Sequence, residues 1–311
     1  MQLHHWPALP VSISHDEDEG LGFERNISKE MDNYKFGILG LCETRWIDNG
    51  QTKLVSGKTI IYSGHKDDKA RHTRGVALML TKKAVKALIE WQPINERLIL
   101  AKSRTSHKWI FLTIVMCYAP TNDVEELAKV EFYDTLQSVI EKRTKKELIM
   151  VMGDFNAKVG NINLGYEAIM GKHGIGSMNA NGQLFANFCA NELVIGRTLF
   201  PHKDLHKATW ILPDLKTQNQ IDHICVSCKF RRSLLDVRVK RGANAASDHH
   251  LLFGKLQLKL RALKEECKVQ QKYNVDLLKH KDTQIQKSII MQINASKKDA
   301  KQHNRTYLVE N

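Results

Sequence analysis

Residues 148–160 read LIMVMGDFNAKVG, an apolar run that ends in a carboxylate and an amide. The run predicts a buried strand that stops at Gly153, directly before Asp154 and Asn156. Side chains two residues apart on a strand point to the same face, so both polar groups are expected at one mouth of the core. An Asp-x-Asn sequence near glycines is also typical of an Asx-type turn. On its own, the stretch favours that simpler interpretation.

The length and composition limit the number of domains and the kinds of partner that the chain is expected to have. With 311 residues, 42% of them hydrophobic, the chain can form one large domain with extensions or two small domains. Lysine and arginine total 47 against 34 acidic residues, and the net charge is +13. This excess favours a polyanionic partner, nucleic acid first and an anionic membrane second. A solvated basic surface is the simpler alternative.

The cysteines and the apolar runs indicate a reduced, intracellular environment. Several of the six cysteines lie within apolar runs, as is typical of buried free thiols. Cys225 and Cys228 form a C-x-x-C, but no second pair follows at zinc spacing, so no metal site is expected there. The first twenty residues lack a secretory pattern, and the longest apolar run, 110–119, is too short to span a bilayer. We expect an intracellular protein, nuclear rather than cytoplasmic, with no membrane contact.

Many short predicted strands alternate with two or three predicted helices. One helix is expected from Asn122, where Glu125 completes a capping box, to Glu141, and another over 182–192. This pattern predicts an α/β sandwich and not a single doubly wound sheet. From Lys255 onward, 13 basic and 6 acidic residues give a net charge of +7, which indicates a charged helical or partly disordered extension.

Polar side chains recur where the predicted strands begin or end. They are Glu43, Tyr118, Asp154, Asn156, Asp222, Asp248 and His249. Carboxylates hold a hard cation such as Mg²⁺, which neutralises charge on a phosphate. A carboxylate or an imidazole activates water, while an amide and a phenol steady the phosphate oxygens. Each residue alone has a structural explanation, such as a capped turn or a paired core group, but the set together suits phosphate-ester hydrolysis.

The motifs that carry these residues resemble the endonuclease/exonuclease/phosphatase superfamily, and within it the apurinic-type endonuclease domain of non-LTR, RTE-like retrotransposons. The resemblance covers about residues 22–258. It rests on LCETRW (41–46), CYAPT (117–121), GDFNA (153–157), GKHG (171–174), NANG (179–182), ATW (208–210), QID (220–222) and SDH (247–249).

The resemblance implies a DNase I-like, four-layer α/β sandwich in which helices flank two mixed β-sheets. It also implies Mg²⁺, which Mn²⁺ can replace, with Glu43 as a metal ligand and Asp248 near the metal. Tyr118 would contact the phosphate. Asp154 would orient or activate water, and Asn156 would steady it.

The resemblance further implies that Asp222 pairs with His249, which handles a proton or contacts the phosphate. The implied partner is DNA. The expected contacts to the DNA backbone are Arg45, Trp210, Arg231, Arg232 and Arg241.

The resemblance to this family does not extend to the N-terminal residues. Members of the family begin with a strand bearing Trp-Asn-Val, whose Asn lies in the active site, and nothing like it precedes Glu43. The strand-like candidate, residues 10–15, carries no asparagine. We therefore divide the chain into a divergent segment, 1–21, a nuclease-like domain, 22–258, and a basic tail, 259–311.

Two functions stay open. One is a Mg²⁺-dependent DNA endonuclease that nicks target DNA, weakened by loss of the first strand. The other is a catalytically inactive, nuclease-like protein that binds nucleic acid or protein. A phosphatase for small acidic substrates is disfavoured by the basic tail and the retrotransposon-like motifs.

Overall fold

The computed structural model describes residues 2–7, 17–66, 73–144, 146–203, 206–211, 218–242 and 249–260, and the side chains from residue 25 onward except that of residue 211. These residues all belong to one unit, Met1–Leu260. Beyond residue 260, the predicted basic tail lies outside the described residues.

Strands dominate the described part of the chain. They are β1 Gln2–Pro7, β2 Ile38–Cys42, β3 Asn49–Lys53, β4 Thr59–Ser63, β5 Val76–Leu80, β6 Leu88–Asn95, β7 Leu98–Arg104, β8 Phe111–Tyr118, β9 Glu147–Asp154, β10 Leu193–Ile195, β11 Trp210–Ile211, β12 Gln218–Asn219, β13 Asp222–Ser227, β14 Leu234–Lys240 and β15 Leu251–Leu256. The α-helices are α1 Glu17–Asn33, α2 Lys82–Ala87, α3 Glu126–Glu141 and α4 Ala180–Ala190.

The strands form two large mixed sheets. Sheet 1 has the order β14-β15-β1-β2-β5-β4-β3, and sheet 2 has the order β10-β13-β9-β8-β7-β6. The parallel pairs are β1 with β2 and β8 with β9, while the other neighbours in the two sheets are antiparallel.

Three hydrophobic clusters show that the two sheets stack face to face between helices. The first lies between the sheets and joins, for example, Leu78 of β5 to Ile114 of β8. The second joins the outer face of sheet 2 to α3 and α4, and the third joins the outer face of sheet 1 to Ile27 and Met31 of α1. The predicted four-layer α/β sandwich is therefore confirmed.

This layering explains why the central strands read as unbroken apolar runs. In β2, β5 and β9 every residue is buried, because other layers cover both faces of the sheet. Such strands carry no polar alternation until they end. Polar residues at their ends are therefore placed at the edges of the sandwich.

The first strand is present, but it does not lie where the sequence suggested. Gln2–Pro7 occupies the gap between β15 and β2, runs parallel to β2, and places Pro7 beside Cys42. It comes from the segment 1–21, which the sequence marks as divergent, while the candidate at 10–15 lies outside the described residues. Sequence patterns miss this strand because QLHHWP contains two histidines and a proline and lacks an apolar alternation.

The capping box predicted at the start of α3 is wrong. The helix begins at Glu126, and its N-cap residue, Glu125, makes no side-chain capping bond. Asn122 instead links the loop before α3 to both α3 and α4. Its side-chain oxygen accepts a hydrogen bond from the Asn181 N–H at 3.4 Å, and its carbonyl accepts one from Lys129 Nζ at 2.8 Å.

No described helix is long and apolar enough to cross a bilayer.

Candidate active site

The predicted polar residues gather at one edge of the sandwich, which we call the site edge and define by Glu43, Tyr118, Asp154, Asp222 and His249. Register places three of them side by side in sheet 2. Tyr118 pairs with Asp154 across β8 and β9, and Asp154 pairs with Asp222 across β9 and β13. Adjacent strands lie about 5 Å apart, so these side chains meet at one place.

Sheet 1 contributes Glu43, which follows β2. The two sheets are joined at this point, because the Cys42 thiol donates to the Cys117 carbonyl at 3.1 Å. Burial and, after it, the nearby Glu43 charge raise the pKa of the Tyr118 phenol. The phenol is therefore protonated at physiological pH and stays a hydrogen-bond donor.

Unusual backbone conformations concentrate at this edge. Of the five described non-glycine residues with positive φ, four follow β2 or β9: Glu43, Arg45, Asp48 and Asn156. Such a conformation costs roughly 1–3 kcal/mol per residue and persists only where the surroundings enforce it. The loops of the site edge are therefore held in specific, unfavourable shapes.

Asp154 and Asn156 converge through a turn and not through strand periodicity. The strand ends at Asp154, and Asn156 has φ 50°, so the two do not share a strand face. The Asn156 N–H donates to Asp154 Oδ1 at 2.8 Å, which is the simpler Asx-type turn, and Asn156 Nδ2 donates to the Ala119 carbonyl at 3.1 Å. The turn is thus part of the site and not an alternative to it.

Gly153 permits this turn. It has φ 152°, and a Cβ at this position would lie 1.9 Å from the Cys117 carbonyl oxygen. Any larger residue would push β9 away from β8 immediately before Asp154.

Asp222 and His249 form a buried pair. His249 Nδ1 lies 3.0 Å from Asp222 Oδ2, and the side-chain exposures are 10% for the imidazole and 0% for the carboxylate. The Asp222 N–H is itself held by the Thr209 hydroxyl at 3.3 Å. Because the carboxylate can accept a hydrogen bond from Nδ1–H, it orients the ring and leaves Nε2 for a substrate.

Negative charge is concentrated at this site. Asp154, Asp222 and His249 each offer a ligand atom, and these atoms all lie within 4.8 Å of one another. Burial and, after it, the neighbouring Asp222 charge raise the pKa of Asp154 to about 8, and the Glu43 charge acts in the same direction. Two buried carboxylates therefore lie beside one imidazole, and the partly exposed Glu43 adds negative charge nearby.

This donor set fits a hard divalent cation. Carboxylate oxygens are the ligands that Mg²⁺ and Mn²⁺ accept, and a cation would relieve the repulsion that raises the pKa of Asp154. The residues that could hold it are Glu43, Asp154, Asp222 and His249. Asp248, the other predicted metal-associated residue, lies outside the described residues.

Arg97 belongs to the site edge but was not predicted from the sequence. Its Nη1 donates to the Tyr118 carbonyl at 3.0 Å, and its guanidinium carbon lies 5.2 Å from the centre of the Tyr118 ring. Burial lowers the pKa of Arg97 to about 10, so it stays cationic near Glu43. The position of Arg97 follows only from the strand register. Leu98 pairs with Cys117, and this pairing places Arg97 beside Tyr118.

A second arginine that sequence reasoning missed lies behind Asp222. Arg197 is 3% exposed, and its Nη2 donates to the carbonyls of His206 and Lys207. Burial lowers the pKa of Arg197 to about 9, while the Asp222 charge acts in the opposite direction. Arg197 therefore remains a buried cation that interacts favourably with the Asp222 charge.

The structure brings three of the five predicted DNA contacts to the site edge. Arg45 lies two residues after Glu43. Trp210 forms a backbone bridge with His249, and their ring centres are 6.2 Å apart. Arg241 follows the end of β14, and its charge acts on the neighbouring His250.

Arg231 and Arg232 do not lie at this edge. They belong to a 3₁₀ helix, Cys228–Ser233, that follows the far end of β13. Since β13 begins at Asp222, it separates these arginines from the site by about 17 Å along the strand.

Comparisons with known proteins agree with this architecture. No family model matches the chain. The AP endonuclease from Archaeoglobus fulgidus superposes with a TM-score of 0.61 at 15% identity, covering 83% of this chain and 100% of the other. The endonuclease domain of TRAS1, a telomere-specific non-LTR retrotransposon, superposes with a TM-score of 0.55 at 15% identity, covering 83% and 99%. The fold is therefore the DNase I-like fold of these nucleases.

The amino-acid sequence is also similar to that of a known protein. Over 238 residues, 76% of this chain, the sequence is 34% identical to craniofacial development protein 2 from Tragulus javanicus. The chain is thus a homologue of craniofacial development protein 2 in this region. It spans about two fifths of that relative, since the match covers 40% of the relative's length.

Proposed function

We propose that the chain is a Mg²⁺-dependent phosphodiester hydrolase, and more narrowly a retrotransposon-derived DNA endonuclease that nicks target DNA. The observation that carries this proposal is the convergence of Asp154 with the Asp222–His249 pair and the Glu43–Tyr118 pair on one edge. The nuclease fold and the endonuclease neighbours support the class of reaction.

Each residue has a role that follows from its environment. Asp154 is placed to accept a proton from the attacking water, because a bound cation would lower the pKa that burial and Asp222 raise and would so favour the ionised carboxylate near neutral pH. The Asn156 N–H holds one oxygen of that carboxylate in place. Mn²⁺ or Mg²⁺, when bound, neutralises charge that develops on the phosphate.

The substrate phosphate is held by donors. The Tyr118 phenol stays protonated, and His249, oriented by Asp222, presents Nε2. The phenol can donate to a phosphate oxygen, and Nε2 can do so when both ring nitrogens carry a proton. Positioned donors of this kind lower the barrier to reaction. Arg45 and Arg241 add positive charge at the same edge, which suits a DNA backbone.

The second candidate function is a nuclease-like protein that binds nucleic acid or protein without cleaving it. The observation that favours it is Pro7 at the end of β1, beside Cys42. Related proteins carry an active-site asparagine on their first strand, and proline has no amide to replace it. Without this amide we expect cleavage to be slow or absent while DNA binding is kept. Because the proposed partner is DNA, we propose that the protein acts in the nucleus.

A plasmid-nicking assay tests the proposal. Supercoiled plasmid is incubated with the protein in Mg²⁺, in Mn²⁺ and in excess EDTA. Conversion to the open-circular form in both metals but not in EDTA is expected. Plasmid binding without nicking in either metal would contradict the enzyme and favour the second candidate.

A further inference from the structure

The edge opposite the site carries a cluster of exposed cations around an exposed tryptophan, which we call the distal patch. It consists of Lys82, Lys83, Lys86, Arg104, Lys108 and Trp109. All six side chains are exposed. The patch begins where β8 begins, and β8 leads over about 23 Å to Tyr118 at the site edge.

The fold assembles this patch from two segments. α2 supplies Lys82, Lys83 and Lys86, while the end of β7 and the turn after it supply Arg104, Lys108 and Trp109. Arg104 Nη2 donates to the Lys86 carbonyl at 2.7 Å, which fixes the two segments together. The cations therefore lie on one continuous surface.

Trp109 is presented by an ordered turn. Its exposed fraction is 62%, although tryptophan is normally mostly buried. The Thr105 hydroxyl holds the turn by donating to the Ile110 carbonyl at 2.6 Å and by accepting from the His107 N–H at 3.1 Å. Lys108 Nζ lies 5.0 Å from the centre of the indole ring. The indole is thus a fixed aromatic face beside a cation.

The charge of the patch is not balanced locally. Residues 82–89 and 102–109 contain no acidic residue. Within the described part of the chain, none of the five cations forms an ion pair. Glu90, beside Lys102 in the neighbouring strand, is a nearby carboxylate, but it forms no ion pair with a patch cation. A polyanion would therefore meet a net positive charge.

From these features we infer that the distal patch binds single-stranded DNA, with one base stacked on Trp109 and the backbone phosphates on the surrounding lysines and arginine. An aromatic face set among cations is the combination that recognises unpaired strands, because every base has a π-face. A duplex would offer the cations its phosphates, but its bases would be closed to the indole. The distance to Tyr118 means that the bound strand is not the phosphodiester being cut, so the inference does not depend on the proposed catalysis.

Binding of a 5′-labelled dT₁₅ oligonucleotide, measured by fluorescence anisotropy in EDTA between 50 and 200 mM KCl, tests this inference. Trp109→Ala is expected to weaken binding about fivefold to 150-fold, without changing the dependence of affinity on salt. Lys83→Ser/Lys86→Ser is expected to reduce the log–log salt slope by about 0.7 for each phosphate that the protein no longer neutralises.

Matched controls separate the patch from general charge and from exposed apolar surface. Arg25→Ser/Lys29→Ser removes the same charge from α1, and Leu164→Ala removes another exposed apolar side chain. Both are expected to bind dT₁₅ like the native chain. Native affinity in Trp109→Ala, or an equal loss in the α1 double variant, would overturn the inference.

Two further readouts make the test specific. Trp109→Ala should not weaken binding of a 15-base-pair duplex, and an equal loss on duplex would overturn the single-strand assignment. Thermal unfolding of each variant checks that the exposed substitutions leave the fold intact. A chain that fails to nick plasmid but loses dT₁₅ binding in Trp109→Ala would contradict the proposed function and support this inference.

Discussion

Strand β8 runs from the distal patch to the site edge, and these two edges of the sandwich carry opposite chemistry. At the site edge, carboxylates are buried close together, and the loops that hold them contain residues with positive φ. At the distal patch, cations are exposed around Trp109 on a short turn. The difference shows that burial distinguishes a reactive site from a binding surface. Charged groups that are close together and shielded from water shift one another's pKa values. Charged groups that are exposed to water instead attract a partner of opposite charge.

The largest expected effect is on the buried pair at the site edge. Asp222→Asn keeps the shape of the side chain but removes the acceptor that selects the tautomer of His249. The nicking rate should fall by roughly 10⁴-fold, as for the buried aspartate of a Ser-His-Asp triad. Single-turnover nicking with and without the substitution measures this. A rate near that of the native chain would mean that Asp222 does not orient His249.

The next effect concerns the end of β1, which lies beside the site but lacks an amide. Pro7→Asn should raise the nicking rate, because a positioned donor contributes roughly a hundredfold to a thousandfold in rate. Pro7→Ala is the control, since it removes the proline ring without adding a donor. Equal rates in both variants would show that the end of β1 does not contribute to catalysis.

A third prediction uses the raised pKa of Asp154. Since its folded-state pKa of about 8 lies above the ordinary value of 3.8, protonation favours the folded state, and this stabilisation is lost as pH rises through about 8. Asp154→Asn removes the titration. In EDTA the variant should therefore have a larger free energy of unfolding than the native chain at pH 8.5. The gain is up to several kcal/mol, since each unit by which the folded-state pKa exceeds the unfolded-state pKa corresponds to about 1.4 kcal/mol.

Urea unfolding at pH 5.5 and pH 8.5 checks this prediction. The advantage of Asp154→Asn should be smaller at the lower pH, where the native carboxyl is protonated. Mg²⁺ should stabilise the native chain at pH 8.5 and have little effect on the variant. A variant that is less stable than the native chain at both pH values would show that Asp154 stabilises the fold as an anion.

The smallest effect is expected where the sequence-based assignment of DNA contacts and the fold disagree. Arg231→Ser/Arg232→Ser should change plasmid nicking less than twofold, because these residues lie beyond the far end of β13. Arg45→Ser/Arg241→Ser should lower DNA affinity and reduce the salt slope by about 0.9 for each phosphate left without a cationic partner. Equal effects of the two double variants would mean that the DNA also contacts the far side of sheet 2.

Local sequence patterns predicted an α/β sandwich and most of the site residues, while the four layers were implied by the family resemblance. Apolar runs that end in a polar residue identified β2, β8 and β9 and the residues after them. Apolar patterns failed to predict β1, because this strand is stabilised by pairing with β2 and β15 and its own sequence does not resemble a strand. It also missed Arg97 and Arg197, because only strand register and packing bring them to Tyr118 and Asp222.

The central claim is that Asp154 acts chemically at the site edge and does not merely end a strand. The most direct measurement compares Mg²⁺-dependent plasmid nicking by Asp154→Asn with that by Asp134→Asn, which changes an exposed aspartate on α3. We expect Asp154→Asn to lose nicking while binding DNA as well as the native chain, and Asp134→Asn to behave like the native chain in both assays. Nicking retained in Asp154→Asn, or lost together with DNA binding, would contradict the account and leave Asp154 a residue of the turn alone.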